Sequence, residues 1–135
     1  MKKKVERFED LVAWQKARVM AARIYRLTFK PPIARDFTFC DQVRSAALSV
    51  PSNIAEGFER GGRAEFAHFL SVAKASCAEL RNQLYVANDL DYIDDNTMGS
   101  LMESAREVAR IIGGLRRAVA AQRKRPQSSV LSPQS

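Results

Sequence analysis

Apolar residues recur at helical spacing along most of the chain. Between Phe8 and Thr28, the residues Ala13, Trp14, Ala17, Met20, Ala21, Ile24, Tyr25 and Leu27 fall on one broad face. Lys16, Arg18, Arg23 and Arg26 lie on or beside the opposite face, so the pattern predicts an amphipathic first helix. Pro31-Pro32 ends it, because proline has no N–H for the ladder and drives its predecessor out of the helical region. A second helix is expected from Asp36 or Thr38, either of which can cap it, through Phe39, Val43, Ala46, Val50 and Ile54 towards Phe58. Gly61-Gly62 then turns the chain.

The third stretch steps by three and four through Phe66, Leu70, Ala73, Cys77, Leu80, Leu84 and Ala87. The fourth does the same through Met98, Leu101, Ala105, Val108, Ile112, Leu115 and Val119. That spacing is the seam of helices packed at shallow crossing angles. Asp91 to Asn96 form a polar loop between them, with Asp94 or Asp95 as the cap. After Gln122, Arg123-Lys124-Arg125-Pro126-Gln127-Ser128-Ser129 carries no apolar period. The expected organisation is a helical domain over residues 1–122 and a basic, disordered tail over 123–135. No strand pattern or long-period repeat interrupts it. The fold class is all-α, an antiparallel up-down-up-down four-helix bundle with its second helix kinked at Pro51.

Topology then sorts the charge. Lysine and arginine number 22 against 15 aspartates and glutamates, a net +7. An up-down-up-down order puts both termini and the second turn at one end. That end would gather Lys2, Lys3, Lys4, Arg7, Arg60, Arg63, Arg116, Arg117, Arg123, Lys124 and Arg125. The other end would gather Asp36, Asp41, Asp89, Asp91, Asp94 and Asp95. A basic protein of this kind favours polyanions, nucleic acid first and an anionic membrane surface second.

Candidate chemistry is sparse. Cys40 and Cys77 lack any metal or redox spacing and read as buried, reduced hydrophobes. His68 is the sole histidine, and no second ligand accompanies it, so neither a metal nor a cofactor is expected. No serine sits in a nucleophile motif, and Gly61-Gly62 and Gly113-Gly114 lack the strand that a phosphate loop requires, so an enzyme is not expected. Gly113-Gly114 inside a helix costs roughly 1 kcal/mol each, which close approach of a neighbouring helix would offset. Charged residues from Glu6 to Asp10 stand where a secretory leader would be apolar, and no run is long enough to span a membrane. A cytoplasmic location follows as the expectation.

The segment Ser49-Val50-Pro51-Ser52-Asn53-Ile54-Ala55-Glu56-Gly57 stands out. Asn53 falls near the buried face, and Glu56 is one turn from Ser52 and Asn53. A satisfied buried asparagine that fixes helix register is the favoured reading, and a polar site of Asn53 and Glu56 the alternative. Val12 and Val19, one heptad apart on the polar face of the first helix, point to an oligomer interface.

Phe8-Glu9-Asp10-Leu11-Val12-Ala13-Trp14-Gln15-Lys16-Ala17 resembles the opening of the four-helix bundle proteins linked to 23S ribosomal RNA intervening sequences. Gln42 to Ala47, followed by the Ser49 to Gly57 run, is similar to that family's central signature, and Phe69 to Leu80 to its third-helix block. The resemblance covers about residues 6–120. The accessory variability determinants of diversity-generating retroelements are a related branch. The resemblance implies a homopentameric ring of bundles with a basic surface that binds RNA or other nucleic acid. One block departs: Ala73-Lys74-Ala75-Ser76 stands where the family usually has Ala-x-Gly-Ser, placing the Ala75 methyl at a possible close helix contact.

The combined expectation is a non-catalytic, oligomeric nucleic-acid-binding protein that grips structured RNA or duplex through its phosphates. Its cations would be those of the basic end. No aromatic platform for stacking bases is evident there. The rival is an oligomeric adaptor docking an acidic protein partner or a nucleic-acid enzyme.

Overall fold

The computed structural model describes residues 4–122. A short 3-10 turn at Phe8–Asp10 leads into α1 (Val12–Leu27), and a second at Ile33–Arg35 leads into α2 (Phe37–Glu59). The helices α3 (Arg63–Asp89) and α4 (Asp95–Gln122) complete the domain, and no strand occurs among the described residues. The stretch 123–135, including the tail expected there, lies outside the described residues.

The helix boundaries follow from local chemistry. Asp36 caps α2 by accepting the Phe39 N–H at 3.0 Å. Asp94 accepts the Thr97 N–H at 2.7 Å at the start of α4. Gly61 takes φ 89°, a left-handed conformation that lets the three-residue connection reverse the chain. The first helix begins later than its apolar pattern implies. Asp10 accepts the N–H groups of Glu6 and Arg7, which holds residues 8–10 in the tighter turn instead. Pro51 stands buried inside α2, and the helix continues to Glu59 on its far side.

Each helix packs on its successor, and α1 also meets α4. Partner numbers run in opposite directions. Gln42 meets Gln83, Ser49 meets Ser76 and Phe58 meets Phe66 across α2 and α3. Lys16 pairs with Glu107 and Arg23 with Ser100 across α1 and α4. Those contacts fit the up-down-up-down order.

The seams of α3 and α4 form the core. Phe66, Leu70, Ala73, Cys77, Leu80, Leu84 and Ala87 are all buried, as are Leu101, Ala105, Val108, Ile112 and Val119. They meet Ala17, Met20 and Ile24 of α1 and Val43, Val50 and Ile54 of α2. On α1 the apolar stripe is wider than the core needs. Trp14 and Tyr25 remain half-exposed and line a surface recess against Leu48 and Pro51.

Two close contacts lock α2 to α3. Ser49 Oγ and Ser76 Oγ share a 2.8 Å hydrogen bond. Asn53 Nδ2 donates to Ser49 Oγ at 2.9 Å and to the Ser49 carbonyl at 2.8 Å. One turn further on, Gly57 lies against Phe69 with no room for a side chain. The conspicuous Ser-x-Pro-x-Asn segment is thus used on a helix seam.

Candidate nucleic-acid interface

The cations expected at one end are divided by the structure. Lys2, Lys3, Arg123, Lys124 and Arg125 lie outside the described residues. Lys4 and Arg7 are exposed ahead of α1. Arg60 is engaged locally: it pairs with Glu56 at 2.8 Å and Glu65 at 3.7 Å, and its guanidinium lies 5.0 Å from the centre of the Phe69 ring. Arg63 is half-exposed at the start of α3. Glu56 therefore serves Arg60 in solvent, whereas Asn53 belongs to the Ser49–Ser76 seam, and the two do not share a site.

Arg116 and Arg117 have different company. They border two adjoining recesses, of about 570 and 460 Å³, along the flank where α3 meets α4. The same recesses are lined by Lys74 and Arg81 from α3 and by Arg106 and Arg110 from α4. No aspartate or glutamate contributes to either lining. Among the described residues, none of the six cations is within ion-pairing distance of a carboxylate. Arg106 donates to the Tyr85 hydroxyl at 3.4 Å, and exposed Glu103 stands one turn before it on α4.

The placement has a simple origin. On α4 the steps from Arg106 to Arg110, Gly113 and Arg117 are four, three and four, so these positions share one face. On α3, Lys74 and Arg81 are seven apart, again one face. Small residues separate the two rows: Ala75 and Ala78 on α3, Gly113 on α4. A methyl added at Gly113 would meet Lys74 Cε at 3.7 Å and Arg117 Nη1 at 3.6 Å, at ordinary contact distance. The missing side chain is thus occupied by two cationic side chains, not by the backbone of a neighbouring helix. Ala75 likewise faces the recess and is exposed, so its extra methyl is not at a close helix contact.

Four of these cations, Lys74, Arg81, Arg106 and Arg110, were not singled out by sequence reasoning. Each reads on its own helix as an ordinary solvated charge. The regular face of Arg106, Arg110, Gly113 and Arg117 was the available signal.

Other chemistry is quiet. Burial pushes the Cys77 thiol up to about 11, and burial also raises Cys40, so both remain protonated at neutral pH. No group of three metal-ligating side chains occurs among the described residues. No described helix is long and apolar enough to cross a membrane.

With this geometry in view, the comparisons with known proteins are informative. A family model described as 23S rRNA-intervening sequence protein matches residues 9–114. The chain belongs to this family. The Ser49 to Gly57 run lies within the residues matched by the 23S rRNA-intervening sequence family, and this member uses it to seat α2 on α3. No curated protein matches the chain. A solved structure from Bacteroides thetaiotaomicron, described as a protein with unknown function from the S23 ribosomal protein family, superposes with a TM-score of 0.72. It is 21% identical, and the match covers 78% of this chain and 96% of that one, which shows a shared fold.

Proposed function

We propose that this member of the 23S rRNA-intervening sequence family binds nucleic acid through its phosphates, along the α3–α4 flank. The observation that carries the reading is the set of six cations, Lys74, Arg81, Arg106, Arg110, Arg116 and Arg117, around recesses with no lining carboxylate. Five of the six are arginines, each able to grip phosphate with two N–H groups. The helices bearing them are packed on a buried seam, so the backbone positions from which the cations project are fixed before ligand arrives. From Arg106 to Arg117 the row extends roughly 16 Å along α4 at 1.5 Å per residue. That length faces several successive phosphates of a strand.

Self-association belongs to the same proposal. Val12 and Val19 are 52% and 59% exposed on α1 and line neither of the α3–α4 recesses, although Val19 borders a separate one with Arg23, Arg26 and Lys30. A ring of copies joined there would repeat the cationic flank around its circumference and add its contacts.

The test is a salt titration of binding to RNA, read by fluorescence anisotropy. Log affinity falls with log salt by roughly 0.9 per duplex phosphate neutralised and roughly 0.7 per single-strand phosphate. Replacing Lys74, Arg81, Arg110 and Arg117 with serine is expected to weaken binding and flatten that slope. Replacing Arg60 and Arg63 is expected to change it little. Loss of binding in the second variant alone would move the site to the end of the bundle. Equal competition by polyglutamate would favour an acidic protein partner.

A further inference from the structure

We propose that the α3–α4 groove takes an unpaired nucleic-acid strand, with one base stacked on Tyr85. The inference rests on the reading of that flank as a phosphate-binding surface and names the kind of strand it accepts. Tyr85 is one helical turn beyond Arg81 on α3, hence on the same face. Tyr85 is 51% exposed. Arg106 Nη2 donates to its hydroxyl at 3.4 Å, so the ring stands just beyond the recesses, at the Arg106 end of the two rows of cations. Beside cations spaced along a groove, it offers the flat face on which a base can lie.

Width and chemistry both favour an unpaired strand. Packed helices are separated by about 8–10 Å, and the recess between their side chains is narrower still. A duplex is a broader body than this recess, so it can rest only on the rim and keeps its bases stacked inside. A single strand can lie along the groove with phosphates on Lys74, Arg110 and Arg117 and turn one base onto Tyr85. From Lys74 to Tyr85 is roughly 16 Å of helix, a length that spans a few nucleotides of a strand. Stacking is tolerant of base identity, because every base has a flat face, and it does not separate RNA from DNA.

The experiment compares three probes at one salt concentration: an unstructured RNA of about twelve nucleotides, a DNA of the same sequence, and the corresponding RNA duplex. Tyr85→Ala is expected to weaken binding of both single strands roughly five- to hundred-fold, to leave the duplex unchanged, and to leave the salt slope unchanged. Tyr85→Phe is expected to restore wild-type affinity, since the ring and not the hydroxyl does the stacking. If Tyr85→Ala leaves single-strand binding intact, or weakens strand and duplex alike, the stacking proposal fails. In that event, continued loss of binding on replacing Lys74, Arg81, Arg110 and Arg117 keeps the phosphate-binding reading. If no probe binds, both fail together.

Discussion

Gly57 on α2 faces Phe69 on α3 so closely that a Cβ at residue 57 would come within 2.5 Å of Phe69 Cβ. That atom sits next to backbone and cannot swing aside as the tip of a long side chain would. The closeness is matched one helical stretch earlier by the Ser49–Ser76 hydrogen bond. Together they fix the register of α2 on α3, with a glycine at one contact and two serine hydroxyls at the other. Gly57→Ala should therefore destabilise by about 1–3 kcal/mol through overpacking, despite a helix-propensity gain near 1 kcal/mol. Urea unfolding checks this. An unchanged midpoint would mean that the helices separate freely at that point.

The polar part of the seam makes a separate prediction. Asn53→Ala removes two hydrogen bonds to Ser49, and Ser76→Ala removes one across the helices. Each should cost about 1 kcal/mol, and the pair should be non-additive because both share Ser49. A double-mutant cycle by chemical denaturation measures the coupling. RNA affinity at a temperature where both variants are folded should stay at wild-type level. Lost binding with full stability would make Asn53 a ligand contact.

At the far end of the bundle, Tyr92 donates a 2.6 Å hydrogen bond to Asp36, and Phe39 N–H donates another. These two bonds, the tyrosine's first, hold Asp36 below the usual carboxylate range, and the carboxylate raises Tyr92 above its ordinary value. The lowered acid contributes stability at neutral pH that is lost as pH falls through its folded-state pKa. The raised phenol contributes stability that is lost as pH climbs above 10 and the hydroxyl ionises. The stability difference between wild type and Tyr92→Phe should thus be flat around neutrality and shrink in acid and in alkali. A difference independent of pH would remove the bond from the account.

Introducing Val12→Asp and Val19→Asp together should reduce the mass seen by light scattering while leaving helical circular dichroism unchanged. Both side chains are exposed and outside the core, so the fold does not need them. A wild-type monomer, or an assembly that survives both changes, would remove this edge as an interface.

The architecture was legible because its signal is local. Phe66 to Ala87 and Met98 to Val119 repeat at three and four residues, and Pro31-Pro32 and Gly61-Gly62 mark the ends. The extent of α1 was less so, since Phe8 to Asp10 carries helical spacing yet is held in a tighter turn by the Asp10 carboxylate. The basic flank was not legible as a unit. Lys74 and Arg110 are distant in sequence, and only the α3–α4 register makes them neighbours. Counting charge at the ends of the bundle also misses the local acids: Glu56 and Glu65 pair with Arg60, while among the described residues no carboxylate pairs with Arg117.

Gly113 offers the sharpest separation of packing from ligand binding. A glycine in the interior of α4 costs about 1 kcal/mol relative to alanine, and a structural reason would be a neighbour too close for a methyl. No such neighbour exists: the nearest atoms to an added Cβ are the side-chain ends of Arg117 and Lys74, at 3.6 and 3.7 Å. Gly113→Ala should therefore stabilise the fold, by roughly 0.5–1 kcal/mol in denaturant unfolding. A larger side chain at the same place, Gly113→Leu, would fill the recess from its floor and push Lys74 and Arg117 apart. It should leave the core intact but weaken RNA binding, without removing a single charge. If Gly113→Leu binds RNA as wild type does, the recess is not where the strand lies, and the cations act only from its rim.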